Sequence, residues 1–465
     1  MIKLIWKVEL GLIILTMFFA ISLFATLQWF NALVSLFLLA IICAGAYYGK
    51  IKGLFSYALV SLYAWFVGPF SIVVASFSPD TFSTRLSHSV MENINRKAII
   101  GRYCLYLAVF YIVFYIISVL TEPFFRGPWK NIKLPKKISV RHLFPLVCAF
   151  SLFELVIRKS FSINIPGHVP TIRYAGVILY LIQALGMYFL FLALYKNIAV
   201  KKSERFIYYG RVMLIAIVTQ LPTIAIGKRS SFFDTILIVV IYTGFYKFDI
   251  FQIEYKKRKK TTRIALFTVV ILLVGIGITN LVRIGEFETI NFLIQRFTGL
   301  LDGTIALADT WSYSPFKLMD YIKTFLFSDN ITSNAYYTNY ILGFPVEAIH
   351  SNALPIFIGS SFYEGLSGIV VVAIVEGLFF TALGEIIKKR VDRQRRHGVN
   401  IIDGIGLYCG IYSIWMLVTS HLIDGNITNW KKFLPIFICY FMGLVSKDDS
   451  RELEVSLTGT VRTQS

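Results

Sequence analysis

Cysteine and histidine are scarce in this sequence, and the common motifs for metal binding and hydrolysis are missing. The 465 residues include five cysteines and six histidines. All five cysteines lie inside or beside apolar runs, which argues against a disulfide framework or a zinc site. There is no H-E-x-x-H, C-x-x-C or D-x-D pattern, and no Walker A or G-x-S-x-G motif. We therefore expect no metal and no cofactor, and neither a nucleotide hydrolase nor a serine hydrolase has support.

Acidic residues are few compared with basic ones. The chain has 26 Asp and Glu against 46 Lys and Arg, giving a formal net charge of +20. The basic residues stand in blocks between apolar runs, a pattern typical of membrane topology rather than of nucleic-acid binding. The composition is 56% hydrophobic with a mean hydropathy of +0.68, whereas a soluble domain is usually about 45–50% apolar. We predict an integral membrane protein with the lipid bilayer, and no nucleic acid, as a partner.

Long apolar runs extend over most of the chain. They lie at 8–29, 31–49, 54–77, 100–120, 142–157, 174–195, 206–226, 232–248, 264–282, 355–385, 401–422 and 432–446. Because roughly 20 apolar residues cross a bilayer, these runs predict an all-α polytopic protein with about twelve transmembrane helices. The first run follows Lys3 and Lys7 and has no small-residue cleavage site, so we expect a retained span rather than a cleaved signal peptide.

Four basic blocks set the expected direction of these spans. They are Arg126, Lys130, Lys133, Lys136, Lys137 and Arg141; Lys196, Lys201, Lys202 and Arg205; Lys256, Lys257, Arg258, Lys259, Lys260 and Arg263; and Lys388, Lys389, Arg390, Arg393, Arg395 and Arg396. An even number of runs separates each block from the next, so all four can lie in the cytoplasm together. Both termini then also lie in the cytoplasm, and the loop 283–354 lies on the outer face.

We divide the chain into one transmembrane domain, 1–446, and a polar cytoplasmic tail, 447–465, which is predicted to be disordered. The large outer loop, 283–354, belongs to the first of these. Within it, F-L-I-Q-R-F-T-G-L-L and P-F-K-L-M-D-Y-I-K-T-F-L-F carry apolar residues at helical spacing. Short helices lying along the membrane surface are therefore expected in the loop.

Several cations lie on the predicted outer face, against the positive-inside trend. Lys228 and Arg229 stand in a turn between two spans, Arg283 ends the next span, and Arg296 follows in the loop. One interpretation is that they anchor helix ends at lipid headgroups. The other is an anion site, because guanidinium groups bind phosphate oxygens bidentately without a metal.

His350 and His421 lie at predicted outer membrane boundaries, where a proton acceptor is useful. Asp424 follows His421 at the spacing i, i+3, so a continuing helix would place both on one face. The carboxylate would then orient the imidazole and raise its basicity. The alternative is that both histidines are hydrogen-bonded residues of the membrane interface.

The outer loop is rich in aromatic residues. They are Trp311, Tyr313, Tyr321, Tyr336, Tyr337 and Tyr340. These rings are candidates for stacking on sugar rings, Trp311, Tyr336, Tyr337 and Tyr340 above all. An interfacial aromatic belt is the alternative.

Two stretches of the second half of the chain resemble a known family. G-K-R-S-S (227–231) followed by a span, then a large outer loop, then H-S-N-A-L-P-I-F-I-G-S-S-F-Y-E-G-L-S-G-I (350–369), resemble the Wzy-type oligosaccharide repeat-unit polymerases. These are relatives of the O-antigen ligases. The resemblance implies a GT-C-like glycosyltransferase of the bacterial inner membrane that acts on its periplasmic face in O-antigen or capsule assembly. It implies donor and acceptor glycans linked to undecaprenyl diphosphate, no metal, no nucleotide sugar, and a chain-length regulator as a further protein partner.

The resemblance assigns roles to particular residues. Arg229 matches the arginine of the turn between spans, and Arg283 matches the basic residue that opens the large loop. His350 resembles the histidine of the H-N-x-x-L stretch in the ligases, although Ser351 here separates it from Asn352. Asn352 and Tyr363 join the sugar-binding candidates. His421 and Asp424 have no counterpart and rest on local chemistry alone.

Two alternatives stay open. An O-antigen ligase would use similar arginines with a lipid A–core acceptor. A lipid-linked oligosaccharide flippase or secondary transporter also has about twelve spans, and Asp234 and a pairing of Glu364 with Glu376 inside the bundle would favour it. Two features argue against a transporter: the charged residues lie at the predicted outer rim, and the two halves of the chain show no hydropathy repeat.

Overall fold

The structure is a computed structural model that describes part of the chain. The described residues are 29–52, 55–65, 67–68, 96–125, 143–160, 315–321 and 355–397, with single helical positions within 218–222, 274–281 and 407–414. Six helices lie in these ranges: α1 (Trp29–Lys52), α2 (Phe55–Trp65), α3 (Arg96–Phe125), α4 (Leu143–Ser160), α5 (Ile356–Ser361) and α6 (Leu366–His397). The described part is all helical apart from turns and one isolated β-bridge, as predicted.

Two helical segments are long and apolar enough to cross a membrane. They are Gly101–Phe125 and Leu366–Asp392, of 25 and 27 residues. At 1.5 Å per residue the shorter is about 37 Å long, which exceeds the roughly 30 Å of a hydrocarbon core. A shorter apolar helix covers Leu36–Gly49. By length and composition these helices are compatible with the predicted membrane protein. The count of about twelve spans and the GT-C-like architecture stay predictions, because most of the other runs lie outside the described residues.

One predicted span differs in the structure. The run 355–385 was expected to be a single helix, but it divides into α5 and α6 around a turn at 362–365. In that turn Glu364 and Gly365 both have positive φ, 59° and 64°, a left-handed conformation that a continuous α-helix excludes. Helix α6 then continues past the apolar run to His397. Lysine, arginine and glutamate are good helix formers, so the charged end of the run does not stop the helix.

Helix α3 packs against both α1 and α6, and α2 also contacts α6, since the rings of Tyr57 and Phe380 lie 5.3 Å apart, centroid to centroid. A Cβ added at Gly45 of α1 would overlap the Tyr115 ring of α3. One turn further along α1, Tyr48 donates a hydrogen bond to Glu122, which lies two turns further along α3. Helices α1 and α3 therefore run in the same direction. Helix α2 runs in the opposite direction, since its Ser61 contacts Tyr115 at 2.6 Å, whereas Val67, just after its end, accepts a hydrogen bond from Tyr103, three turns earlier in α3.

Helices α3 and α6 are parallel neighbours. Ser118 contacts the carbonyl of Gly377 at 3.4 Å, and at the ends of these segments the Lys389 Nζ donates to the carbonyl of Phe125 at 2.8 Å. A Cβ at Gly377 would lie 3.1 Å from the carbonyl oxygen of Phe114, so the glycine allows the two backbones to approach closely, as small residues do between membrane helices. These relative directions are those that the predicted alternation of spans requires; which end faces the cytoplasm stays a prediction.

Candidate functional site

The turn between α5 and α6 is the most sharply defined irregular feature of the described residues. It lies in the stretch 350–369 that carries the family resemblance. Pro355 begins α5, and its carbonyl accepts hydrogen bonds from the N–H groups of Ile358 and Gly359 at 3.0 and 3.1 Å. All six residues of α5 are buried. Buried serines are tolerated because their hydroxyls donate back to the helix, for example Ser360 to the carbonyl of Ile356 at 2.5 Å.

A segment of the large outer loop docks on this turn through its backbone. The N–H of Phe316 donates to the carbonyl of Phe362 at 3.1 Å, and the carbonyl of Phe316 accepts from the N–H of Glu364 at 3.2 Å. Together these bonds form a parallel bridge between Phe316 and Tyr363. The loop segment continues as a short helical turn over 318–321, in which the Asp320 carboxylate accepts from the N–H of Lys317 at 3.0 Å.

Three aromatic rings also hold the loop segment against the turn. The ring of Tyr363 lies 5.4 Å from that of Phe316 and 5.2 Å from that of Tyr321, centroid to centroid. These separations are typical of favourable aromatic pairs. Tyr321 is 3% exposed and Tyr363 is 1% exposed. We call Phe316, Tyr321 and Tyr363 the loop clasp, because they hold the polar loop on the start of α6.

Two further contacts fix the position of the loop clasp on the bundle. Gly368 in the first turn of α6 brings the helix against the preceding turn, and a Cβ there would overlap the carbonyl oxygen of Tyr363 and lie 2.5 Å from that of Ser360. On the other side, Phe357 of α5 packs edge-on against Tyr103 of α3, with centroids 5.1 Å apart. The loop clasp therefore lies at the end of the bundle where α3 and α6 begin, opposite the Lys389–Phe125 contact.

The interior of the bundle holds a second group of polar side chains. Glu122, Glu376 and Glu385 are all buried. Glu122 accepts its hydrogen bond from the Tyr48 hydroxyl. The pairing of Glu364 with Glu376 that was considered from the sequence is wrong: Glu364 is exposed in the turn, and Glu376 is buried ten residues into α6, about 15 Å along the helix.

Helix α4 carries a buried ion pair. The Arg158 Nε and Nη2 atoms donate to one carboxylate oxygen of Glu154 at 2.8 and 2.6 Å, and both side chains are almost fully buried. The spacing i, i+4 places the two groups on one face of the helix. This pair neutralises two charges that would otherwise oppose burial of the helix end.

Among the predicted site residues, the described part of the chain contains Tyr321 and Tyr363. Both rings are buried in the loop clasp, and contact with sugar stays a prediction. The other candidates lie outside the described residues: His350, His421, Asp424, Lys228, Arg229, Arg283, Arg296, Trp311, Tyr313, Tyr336, Tyr337, Tyr340 and Asn352. No group of three or more His, Cys, Asp or Glu that could hold a metal is found within the described ranges.

Sequence reasoning missed Phe316 and Glu364 as residues that organise the junction. Pro355 precedes α5 and Gly365 ends the turn after it, and the two residues are a local signal that the apolar run is interrupted. The partner of the turn, 47 residues earlier in the chain, has no local signal.

The described residues thus define a helical protein with two helices of membrane-spanning length and a polar loop tied to one end of them. Comparisons of the chain with protein-family models, with curated proteins and with solved structures gave no match. The similarity of 227–231 and 350–369 to the repeat-unit polymerases therefore remains an expectation from those residues.

Proposed function

We propose that this protein is a Wzy-type membrane glycosyltransferase that polymerises undecaprenyl-diphosphate-linked oligosaccharide repeat units on the outer face of the bacterial inner membrane. The observation that carries the proposal is the loop clasp. It ties Phe316 of the large polar loop by two backbone hydrogen bonds to 362–364, within the stretch that resembles the polymerases.

The geometry suits an amphiphilic substrate. Polar residues of the loop are held at one end of α3 and α6, the two helices of membrane-spanning length. A lipid-linked glycan has its tail in the bilayer, its diphosphate at the interface and its sugars in water, so a loop held at a helix end meets the last two parts. Arg229, Arg283 and Arg296, with Lys228, are proposed to hold the diphosphate.

The proposed reaction needs charge stabilisation and a base. A hydroxyl of the acceptor repeat unit attacks the anomeric carbon of the growing glycan, and the bond from that carbon to the diphosphate oxygen breaks. The electron pair passes to the diphosphate, where arginines stabilise the developing charge. The hydroxyl proton passes to a base, for which His350 and His421 are the candidates, the latter oriented by Asp424.

The decisive experiment incubates the purified protein with a synthetic diphospholipid-linked repeat unit. A ladder of lengthened products is expected, and it should be lost in Arg229→Ala and Arg283→Ala. Lys159→Ala is the matched control, because Lys159 is an exposed cation at the end of α4 on the same predicted face. A protein that makes no ladder, or arginine variants that make a normal one, would refute the proposed role.

The same assay distinguishes which of the two histidines acts as the base. Base catalysis accelerates a reaction by roughly 100- to 10,000-fold, so the variant that removes the base should lose turnover by about that factor while the affinity for the donor changes little. His350→Ala and His421→Ala are compared directly. A histidine whose replacement leaves turnover near that of the wild type is not the base.

A lipid-linked oligosaccharide transporter is the second candidate. It is favoured by the buried carboxylates of Glu122, Glu376 and Glu385, because ionisable groups inside a membrane commonly mark substrate or proton paths. Reconstituted vesicles distinguish the two functions: a transporter moves the labelled repeat unit across the bilayer and forms no new glycosidic bond. A ligase is recognised by transfer to a lipid A–core acceptor.

A further inference from the structure

Tyr57 of α2 places a hydroxyl group in the interior of the bundle. The residue is 1% exposed, and its ring packs against the rings of Tyr48, Tyr115 and Phe380, with centroids 5.3, 6.2 and 5.3 Å away. Within the described residues, no atom forms a hydrogen bond with this hydroxyl. Buried polar groups are nearly always hydrogen-bonded, and an exception calls for an explanation such as a bound water or ion.

The groups around the Tyr57 hydroxyl are oxygen atoms from three other helices. It adjoins the side chains of Ser118 of α3 and Thr381 of α6, and Tyr48 of α1 and Glu122 of α3 lie nearby. Ser118, Glu122 and Thr381 are all buried. Because Ser118 and Glu122 are four residues apart, they share one face of α3. Four helices therefore bring oxygen atoms together at one place inside the bundle.

The hydroxyl protons of these neighbours are already donated. Thr381 Oγ1 donates to the carbonyl of Gly377 at 2.8 Å, and Ser118 Oγ contacts the same carbonyl at 3.4 Å. The Tyr48 hydroxyl donates to the Glu122 carboxylate. Each of these hydroxyls keeps its lone pairs for a further ligand, and an ionised carboxylate is an acceptor alone. A group of lone pairs with one negative charge suits a cation.

The kind of oxygen atom narrows the class of cation. Soft transition metals prefer thiolate and imidazole ligands, and the described ranges contain no cluster of three or more His, Cys, Asp or Glu. Ca²⁺ sites are built from several carboxylates, and Mg²⁺ keeps several waters. Here one carboxylate stands among neutral hydroxyls, which matches a hard cation with a single charge. Ionisable groups inside a membrane commonly mark ion-binding positions.

We propose that Glu122 and the hydroxyl oxygens of Tyr57, Ser118 and Thr381 bind a monovalent metal cation such as Na⁺ between α2, α3 and α6. This site goes beyond the proposed glycosyltransferase function and does not depend on it. It lies within about two turns of the Phe125 end of α3, opposite the loop clasp. The proposed reaction on the outer face therefore stays metal-independent.

The test is thermal unfolding of the full-length purified protein in detergent. Chloride salts of Na⁺, K⁺ and choline are compared at one ionic strength and one pH, and choline sets the baseline because it is too large for the site. Na⁺ or K⁺ should raise the unfolding midpoint by about 2–5 °C at a concentration near 100 times its Kd. Equal midpoints in all three salts would overturn the site.

Two variants test the ligands. Glu122→Gln keeps the shape of the side chain and removes its charge, so it should abolish the difference between the salts. Tyr57→Phe should weaken the apparent cation affinity by about 2- to 10-fold, the effect of losing one neutral polar contact. In choline chloride, Tyr57→Phe should unfold at a temperature no lower than the wild type, because removing this hydroxyl breaks no hydrogen bond. If Glu122→Gln does not fold, Tyr57→Phe decides the question.

Tyr103→Phe is the matched control. Tyr103 is a buried tyrosine of α3 whose hydroxyl donates to the carbonyl of Val67, near the other end of the bundle. This variant should lower the midpoint in every salt, because it loses that bond, and should keep the full difference between Na⁺ and choline.

Three results would refute the cation site. The first is a salt difference that persists in Glu122→Gln. The second is an equal loss of that difference in Tyr57→Phe and Tyr103→Phe, which indicates a general disturbance of the bundle. The third is a midpoint that rises at lower pH but not with Na⁺ or K⁺, which would assign the group to a proton. None of these results affects the ladder assay, so the site and the glycosyltransferase fail independently.

Discussion

Truncation of Tyr363 to alanine should release the large loop from the end of α6. The Tyr363 ring is buried and contacts the rings of Phe316 and Tyr321. Each aromatic pair contributes about 0.5–1.5 kcal/mol beyond the area it buries, so the variant loses about 1–3 kcal/mol of docking free energy. Opening of the loop segment should therefore become about 5- to 150-fold more frequent.

Amide hydrogen exchange measures this opening directly. The N–H groups of Phe316 and Glu364 are both bonded across the junction, so their exchange should accelerate by the same factor in Tyr363→Ala. Amides in the middle of α3 should keep their protection, because they lie within a continuous helix. Polymerisation should fall with the fraction of time that the loop spends undocked, if the loop carries catalytic residues as proposed.

Tyr363→Phe is the matched control for the ring. It keeps both aromatic contacts and removes the hydroxyl alone, so exchange at the two amides should stay within about threefold of the wild type, a change of well under 1 kcal/mol. Unchanged protection in Tyr363→Ala would show that the backbone bridge alone holds the loop. Equal acceleration in both variants would show that the hydroxyl, rather than the ring, is responsible.

Two further predictions concern stability and are measured by thermal unfolding in detergent. Gly368→Ala should destabilise the protein by about 1–3 kcal/mol or more, because the new Cβ meets backbone oxygens that cannot move away. Gly384→Ala is the control and should be nearly neutral, because its Cβ would meet the rotatable Ser56 hydroxyl at 2.9 Å. Similar losses of stability in the two variants would contradict this reasoning. Arg158→Ala should lower the free energy of unfolding by about 3–5 kcal/mol, because it leaves the Glu154 carboxylate buried without its cation. Replacing both residues by leucine should lower it much less. A double variant as unstable as the single one would show that the ion pair itself is needed.

Hydropathy and charge predicted the parts of the fold that depend on local composition. The runs 31–49, 100–120 and 142–157 correspond to α1, α3 and α4, each helix extending a few residues beyond its run. The helical spacing in P-F-K-L-M-D-Y predicted the short turn at 318–321. Helix ends were less predictable, because a hydropathy pattern detects the apolar part of a helix and not its charged continuation, as at 386–397.

The junction between α5 and α6 lies within 350–369, a stretch that the sequence singles out, but its structure was not predictable. Its bridge to Phe316 joins residues far apart in the chain. Such contacts depend on which surfaces the folded bundle brings together, and no local pattern encodes them. The same holds for Tyr48 and Glu122, 74 residues apart. The arginines and histidines proposed for catalysis lie outside the described residues, so their roles stay predictions.

The partnership of α3 with α6 has a consequence for biosynthesis. The Phe125 carbonyl and the Lys389 ammonium that it binds are 264 residues apart. At about 5–20 residues per second, a ribosome needs on the order of 15–50 seconds to make the chain between them. During that interval Ser118 and the neighbouring face of α3 have no α6 to cover them. A nascent chain arrested before α6 would leave this face, including the Ser118 hydroxyl, without its partner helix, and chaperones or proteases can recognise such a chain as unassembled.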